Sequence, residues 1–340
     1  MTTDLHMHSP GLWTLAWRRL RADRIAMAAL AVVGAFLLLV LLSSTGLVAS
    51  DWEDEVAVNY APPSFVGADA TARALAQAQL PRASGPAPNA FDPLADELAE
   101  LRAQVAQTHP PVEKRTTLPF GADKWGHDIV KKTIKGGETS IVVGLVAALL
   151  AVALGTLFGA VSGFYGGWVD DLFNWFYSIF TAIPAILMIL TVAAVLQQKG
   201  VTTIVLILGL TGWTGPYRLM RAEYIKHGAR EYVMAANAIG ASSWQRMFGH
   251  ILPNVSHVAL VQMSILVVGF IKAEVILSFL GFGVPVGTVS WGSMLNEAQN
   301  ELILGKWWQL AAAASAMALL VTSFSLFADA LRDALDPKIK

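Results

Sequence analysis

The chain has 340 residues, 55% of them hydrophobic and 14% charged, against roughly 25% charged in soluble domains. Its net charge of −1 argues against a broad nucleic-acid-binding surface, and without cysteine neither a disulfide nor a thiolate metal site can form. The charges lie between long uncharged runs, which marks an all-α integral membrane protein.

The stretch "SPGLWTLAWRRLRADR" opens with Ser9 and Pro10 as a helix start, and Trp13, Trp17 and Leu20 then share one helical face. This predicts a short interfacial helix within 1–24, lying on the cytoplasmic membrane surface; the alternative is a plain extension of the first span. Six runs can each cross a bilayer, which takes about 20 apolar residues: 25–48, 139–163, 172–196, 201–220, 255–280 and 307–328. The fourth is the weakest, with 18 uncharged residues between Lys199 and Arg218. The first is too long for a cleavable signal and lacks a small-residue cleavage pattern, so it is expected to stay as a span.

Basic residues set the orientation. Arg18, Arg19, Arg21 and Arg24 place the N-terminus in the cytoplasm, and six spans return the tail 331–340, with Arg332, Lys338 and Lys340, to the same side. The loop 218–254 falls there too, with Arg218, Arg221, Lys226, Arg230 and Arg246 against Glu223 and Glu231. The loop 49–138 is then external, with 13 acidic and 9 basic residues, although its Lys131, Lys132 and Lys135 run against the rule. Within it, "PRASGPAPNAFDP" predicts irregular chain, and "DPLADELAELRAQVAQT" predicts a helix with Leu94, Leu98, Leu101 and Val105 on one face. Such a helix more often packs on its own loop than on a partner.

In the second span Gly155, Gly159 and Gly163 form a double G-x-x-x-G, a face that lets another helix approach closely. Asp170 and Asp171 start the third span and suit a helix N-terminus; Pro184 within it predicts a bend that could serve gating or static architecture. Lys272 and Glu274 are the only charges well inside a span. Glu274 either sits near the outer mouth of a translocation path or bonds to a neighbouring helix, and the structural role is put first. Asp329 and Arg332 are spaced for an i, i+3 pair.

Between the fourth and fifth spans runs "EYVMAANAIGASSWQRMFGHILPN" (231–254), polar and Gly-punctuated. Glu231 suits a helix start, Gly240 a left-handed C′ position, and Ser242 to Gln245 spells a capping box for a second helix. Pro253 predicts that this second helix stops or kinks at Leu252. Two short helices and a bend at a membrane edge make a shape for contact.

This stretch closely resembles the cytoplasmic "EAA" loop of bacterial ABC-importer permeases. Met234, Ala235 and Ala236 occupy the triplet, Met234 standing where the motif has Glu; Gly240 is the glycine and Leu252-Pro253 the end. "PFGADKWGHD" (119–128), "EVILSFLGFGVP" (274–285), "SWGSML" (290–295) and "DALRDALDPK" (329–338) are similar to signatures of the dipeptide/oligopeptide/nickel group, in its C-type subunit. The resemblance covers about 10–50 and 117–340 and leaves most of 60–115 as an insertion. It implies the type I importer permease fold, with a five-helix core at 139–330, in a bacterial inner membrane. Its partners would be a homologous permease, two ATP-binding subunits, an external solute-binding protein and the lipid bilayer. Glu231, Tyr232, Met234, Ala235, Ala236, Gly240, Ala241, Leu252 and Pro253 would dock on an ATPase, with Glu274 and Pro184 candidates for the path or gate. Peptides are the implied cargo; nickel chelates, glutathione or another solute remain open.

No G-x-x-x-x-G-K-[ST] occurs, since Gly305-Lys306 continues into Trp307, so ATP and Mg would be held by partner chains and this subunit is non-catalytic. A secondary transporter would call for an inverted repeat and intramembrane coupling acids. A membrane enzyme would call for a converging set of reactive side chains, whereas the seven histidines are scattered and no metal site is expected.

Overall fold

A computed structural model of the chain describes residues 12–68, 70, 72–74, 97, 98, 101, 114–198, 200–285 and 287–335. Its helices are α1 (Leu12–Ala22), α2 (Arg24–Ser44), α3 (Ile129–Tyr165), α4 (Gly167–Ala182), α5 (Ala185–Leu196), α6 (Val201–Thr211), α7 (Thr214–Gly228), α8 (Glu231–Ala238), α9 (Leu252–Phe279), α10 (Trp291–Ile303) and α11 (Trp308–Leu335). Only isolated β-bridges join the extended segments near 57–63 and 115–128.

Asp23 divides α1 from α2. Its carboxylate accepts from the amides of Ile25 (2.8 Å) and Ala26 (3.1 Å), capping α2 and ending α1, so α1 is a separate helix and not an extension of the span. Its buried face is Ala16 and Leu20, packed against Ala26, Ala334 and Leu335. Trp17 is 48% exposed, with the Arg21 guanidinium 5.5 Å from its ring centroid.

Among the described residues four continuous helical stretches are long and apolar enough to cross a membrane: Arg24–Ser44, Ile129–Tyr165, Gln245–Phe279 and Trp308–Leu335. The expected third span is instead a bent pair, α4 and α5, turned by 86° at Ile183 and Pro184, and counting it as one span makes five. Pro184 removes a donor and Ile183 before it is extended (φ −105°, ψ 133°), the conformation proline imposes on its predecessor. The expected span 201–220 is divided at Gly212 and Trp213 into α6 and α7. Pro216 has no N–H to offer the Gly212 carbonyl, while Trp213 turns its indole into the core, stacked 5.3 Å from Phe176.

The 37-residue α3 is the axis of the bundle. It starts ten residues before the expected span, at the side-chain cap from Asp128 to Val130 N (2.8 Å). The three lysines of its first turns are each neutralised: Lys131 by Asp51 (2.5 Å), Lys132 by Asp123 and Glu297 (both 2.7 Å), and Lys135 by Glu138 (2.8 Å). Their departure from the charge rule is thus a set of local ion pairs. Of the helix expected in the long loop, Leu98 and Leu101 are helical and exposed, while Leu94 and Val105 lie outside the described residues.

Gly155, Gly159 and Gly163 lie against the backbone of α7. A Cβ on them would stand 2.6 Å from the Trp213 carbonyl, 2.7 Å from that of Tyr217 and 2.6 Å from that of Arg221. The contact continues as polar bonds. The Arg221 guanidinium forks onto Asp170 (Nε–Oδ1 2.6 Å, Nη2–Oδ2 2.5 Å), Ser162 donates to the same carboxylate, and Ser162 and Tyr217 hydroxyls meet at 3.1 Å. Asp170 is therefore an interhelical anchor as well as a helix-start charge.

Gly159→Ala is expected to destabilise the protein by about 1–3 kcal/mol, because a methyl group has no room between two backbones. Gly34→Ala, where nothing lies within 4 Å of the added Cβ, should be neutral or slightly stabilising. Thermal unfolding of the two variants in one detergent checks this; equal midpoints would remove the packing argument.

Candidate coupling surface

Helix α7 delivers the chain to the loop. Its last turn, with Lys226 and His227, is followed by extended Arg230 (φ −82°, ψ 147°), which starts α8, and Glu231 stands in the first turn. The end of α8 is a left-handed cap. Gly240 has φ +85°, the Ala241 amide reaches back to the Ala236 carbonyl (3.0 Å), and the Gly240 amide bonds Asn237 (3.0 Å). The next helix begins with a reciprocal capping box: Gln245 N donates to Ser242 Oγ (3.2 Å) and Ser242 N to Gln245 Oε1 (2.9 Å).

The second helix does not stop at Leu252. A π-helical turn (Gln245–Ile251) runs directly into α9, and the Leu252 amide bonds Met247, five residues back. Proline at 253 falls in the first turn of α9, where a missing N–H is tolerated. Asn254 donates its side-chain amide to the His250 carbonyl (2.7 Å). The wider turn before the proline thus absorbs what would otherwise be a break. Mechanically, the loop's second arm and span α9 are one piece.

The loop is seated on the bundle by Val233, Met247, Ile251 and Val255, which bury against Ala160, Met220 and Tyr224. The Tyr224 hydroxyl donates to the Met247 carbonyl (3.1 Å), and burial pushes that phenol above its usual range. Arg246 lies over the Phe164 ring at 5.3 Å. His227 Nδ1 meets the Tyr232 hydroxyl at 2.8 Å, fixing the start of α8 to the end of α7.

Part of what remains outside is apolar. Met234 is 55%, Ile239 84% and Trp244 67% exposed, with Tyr232 beside them. Ala236 is buried and Ala241 and Leu252 are half-buried, so these three support the surface from beneath; Glu231, Ala235, Gly240 and Pro253 are exposed. Ile239 and Trp244, which lie outside the motif positions, are the most exposed large apolar residues of the loop.

Glu274 has no exposed surface in the isolated chain. Ser278 donates to its Oε1 at 2.6 Å, Ser140 and Ser290 face it, and Oε2 has no bonding partner. It is a packed junction of α3, α9 and α10. Pro184 is exposed at the bend between α4 and α5.

The end opposite the loop holds a larger polar cluster. Lys132 joins Asp123, Glu297 and Gln309 Oε1 (3.3 Å), while Asp123 also accepts from His127 Nδ1 (3.0 Å) and from the amides of Trp125 and His127. Burial alone would raise Asp123, but the His127 and Lys132 contacts hold it well below the usual carboxylate range. Glu301, on α10 beside them, is 1% exposed and neither oxygen has a partner. Burial pushes it up to about 7, against the pull of Lys132. Among the described residues no group of three or more His, Asp or Glu is placed to hold a metal ion.

An all-helical bundle with a rigid, apolar-tipped loop at one end has the form of a transport permease subunit. Residues 155–340 match the family model described as binding-protein-dependent transport system inner membrane component, and residues 11–63 match the N-terminal TM domain of oligopeptide transport permease C. The chain is 34% identical to the dipeptide transport system permease protein DppC of Bacillus subtilis over 221 residues, 65% of this chain and 69% of the relative. It is 36% identical to the oligopeptide transport system permease protein OppC of the same organism over 221 residues (65% and 72%), and 34% identical to OppC of Haemophilus influenzae over 219 residues (64% and 70%). The chain belongs to the family of binding-protein-dependent transport system inner membrane components, the membrane-embedded permeases of ABC importers.

The pH dependence of Glu301 follows from its burial. Its value in the folded chain, about 7, lies above its ordinary 4.5, so its contribution is fully present below about 4.5 and is lost as pH rises through 7. Between pH 6 and pH 8 stability should fall by about 1 kcal/mol more than in Glu301→Gln, whose amide does not titrate. Unfolding midpoints of the two proteins across that interval check it, and parallel curves would show that Glu301 does not titrate there.

Proposed function

We propose that this chain forms, with a homologous permease, the translocation path of an importer for dipeptides or oligopeptides. An external binding protein delivers the peptide, and two ATP-binding subunits, which hold ATP and Mg, dock on the α8 loop. Support for the cargo comes from the relatives, which are named as dipeptide and oligopeptide permeases. In this reading the loop, α1 and the end of α11 face the cytoplasm and α10 faces outside. Arg18, Arg21 and Arg24 near α1 and Arg230 and Arg246 in the loop favour that sense.

The observation that carries the docking reading is the exposed trio Met234, Ile239 and Trp244 on a loop whose backbone is fixed by two caps. An apolar surface of this kind, raised on short helices clear of the bundle, suits a cleft in a soluble subunit. The π-turn into α9 and the α7–α3 contact would carry displacement of the loop into the spans.

Gly240→Val tests this. No atom lies within 4 Å of the new Cβ, so the effect comes from backbone strain at φ +85°, roughly 1–3 kcal/mol, and not from crowding. Membrane levels should be normal, uptake of labelled dipeptide should drop about tenfold or more, and ATPase activity should no longer respond to loaded binding protein. Wild-type uptake with normal stimulation in the purified complex would show that this bend does not carry the coupling.

A further inference from the structure

A cavity of about 620 Å³ opens at the loop end between α7, α9 and α11, apart from the apolar docking trio. Its mouth is basic. Lys226, Arg230, His257 and Arg332 line it, together with His227. Its one acid, Glu223, is already engaged, 2.9 Å from Lys226 and 3.6 Å from His227 Nε2. The expected Asp329–Arg332 pair is absent, and Arg230 and Arg332 have no carboxylate partner among the described residues. Two permanent cations therefore share a recess with an excess of positive charge.

The lining changes with depth in the same way on two helices. Along α9 it passes from Asn254 and His257 at the mouth to Val258, Val261 and Ile265, with Gln262 the one polar residue among them, Ile265 lying roughly 12 Å deeper than His257 at about 1.5 Å per residue. Along α7 it passes from Lys226 and Glu223 back to Leu219. The recess thus has a cationic rim over a mainly apolar wall, at one end of two candidate spans.

We propose that this recess binds one anionic phospholipid, its phosphate held by Arg230 and Arg332 and an acyl chain lying along Val261 and Ile265. A small soluble anion would use the rim and leave the apolar wall unmatched. A phospholipid has the same polarity gradient as the recess, and anionic headgroups lie at the surface of the membrane that α9 and α11 would cross. Because Arg230 is the N-cap of α8, the bound headgroup touches the residue from which the loop helix starts.

The test is native mass spectrometry of the full chain in a non-ionic detergent, titrated with phosphatidylglycerol, phosphatidylcholine or sn-glycerol 3-phosphate. The expected result is one phosphatidylglycerol per chain, bound at least tenfold more tightly than phosphatidylcholine. Removing two rim charges in Arg230→Gln/Arg332→Gln should weaken binding about tenfold or more. Arg230→Lys/Arg332→Lys should retain it, as should Arg21→Gln on α1. Equal binding of the two lipids, unchanged affinity of the Gln variant, or displacement of lipid by an equal concentration of glycerol phosphate would each overturn the proposal. If the Gln variant does not fold, the headgroup preference of the unaltered chain decides alone.

Discussion

The close approach of α3 and α7 is the contact on which the other placements depend. In lipid, apolar side chains gain little by leaving one hydrocarbon environment for another, so helices are held by packing and polar bonds. Three glycines remove every Cβ from one stripe of α3, and the carbonyls of Trp213, Tyr217 and Arg221 occupy the space. That proximity lets Ser162 and Tyr217 meet, and it places Arg221 where it can fork onto Asp170 of α4. One small-residue stripe therefore fixes three helices. It also fixes the end of α7, from which the loop is hung.

Charge is arranged by the same economy. Lys132 lies in the first turns of α3, and three groups from three other elements, Asp123, Glu297 and Gln309, converge on it. The cluster staples the polar segment 114–128 and helix α10 to the bundle. Glu274 and Glu301 lack full sets of partners. Glu274 is surrounded by serine hydroxyls, which can donate to a carboxylate. Glu301 has no such donors, and for a buried acid without partners the cheapest accommodation is to keep its proton. Both groups lie where helices meet and are closed off from solvent in the isolated chain.

Sequence made the local devices legible and left the long-range ones hidden. Gly240, the Ser242–Gln245 box and the glycine spacing are read within a few residues, because caps and helix faces are set by neighbours at i+3 and i+4. The Asp170–Arg221 fork joins residues 51 apart and the Lys132–Glu297 bond residues 165 apart, and no periodicity points from one partner to the other. The errors have a common cause. Pro184 and Pro253 look alike as breakers, yet one turns the chain by 86° and the other lies in an unbroken helix. What separates them is the π-turn before Pro253, which has no residue signature in the sequence. The division at Gly212 and Trp213 was likewise hidden by a run of uncharged residues, although Pro216 marks it in retrospect.

These differences bear on how the proposed docking surface would act. From Ser242 onward the capping box, the π-turn and α9 follow one another without a break, so a push on Trp244 would be carried toward the buried junction at Glu274. From Glu231 backward the path runs through the Tyr232–His227 bond and α7 into the glycine stripe of α3. The loop thus enters the bundle through two stiff arms that meet on α3: Gly144 meets Ile271 of α9, and Gly155 to Gly163 meet α7. Helix α4 belongs to the same unit: its Asp170 takes the Arg221 fork, and Phe173, Phe176 and Phe180 meet Phe158 of α3 and Trp213 at the start of α7. Beyond it the 86° bend at Ile183 and Pro184 turns the chain into α5. A push on the loop would therefore reach α4 through α7 and α3, and the bend is where the chain leaves that unit.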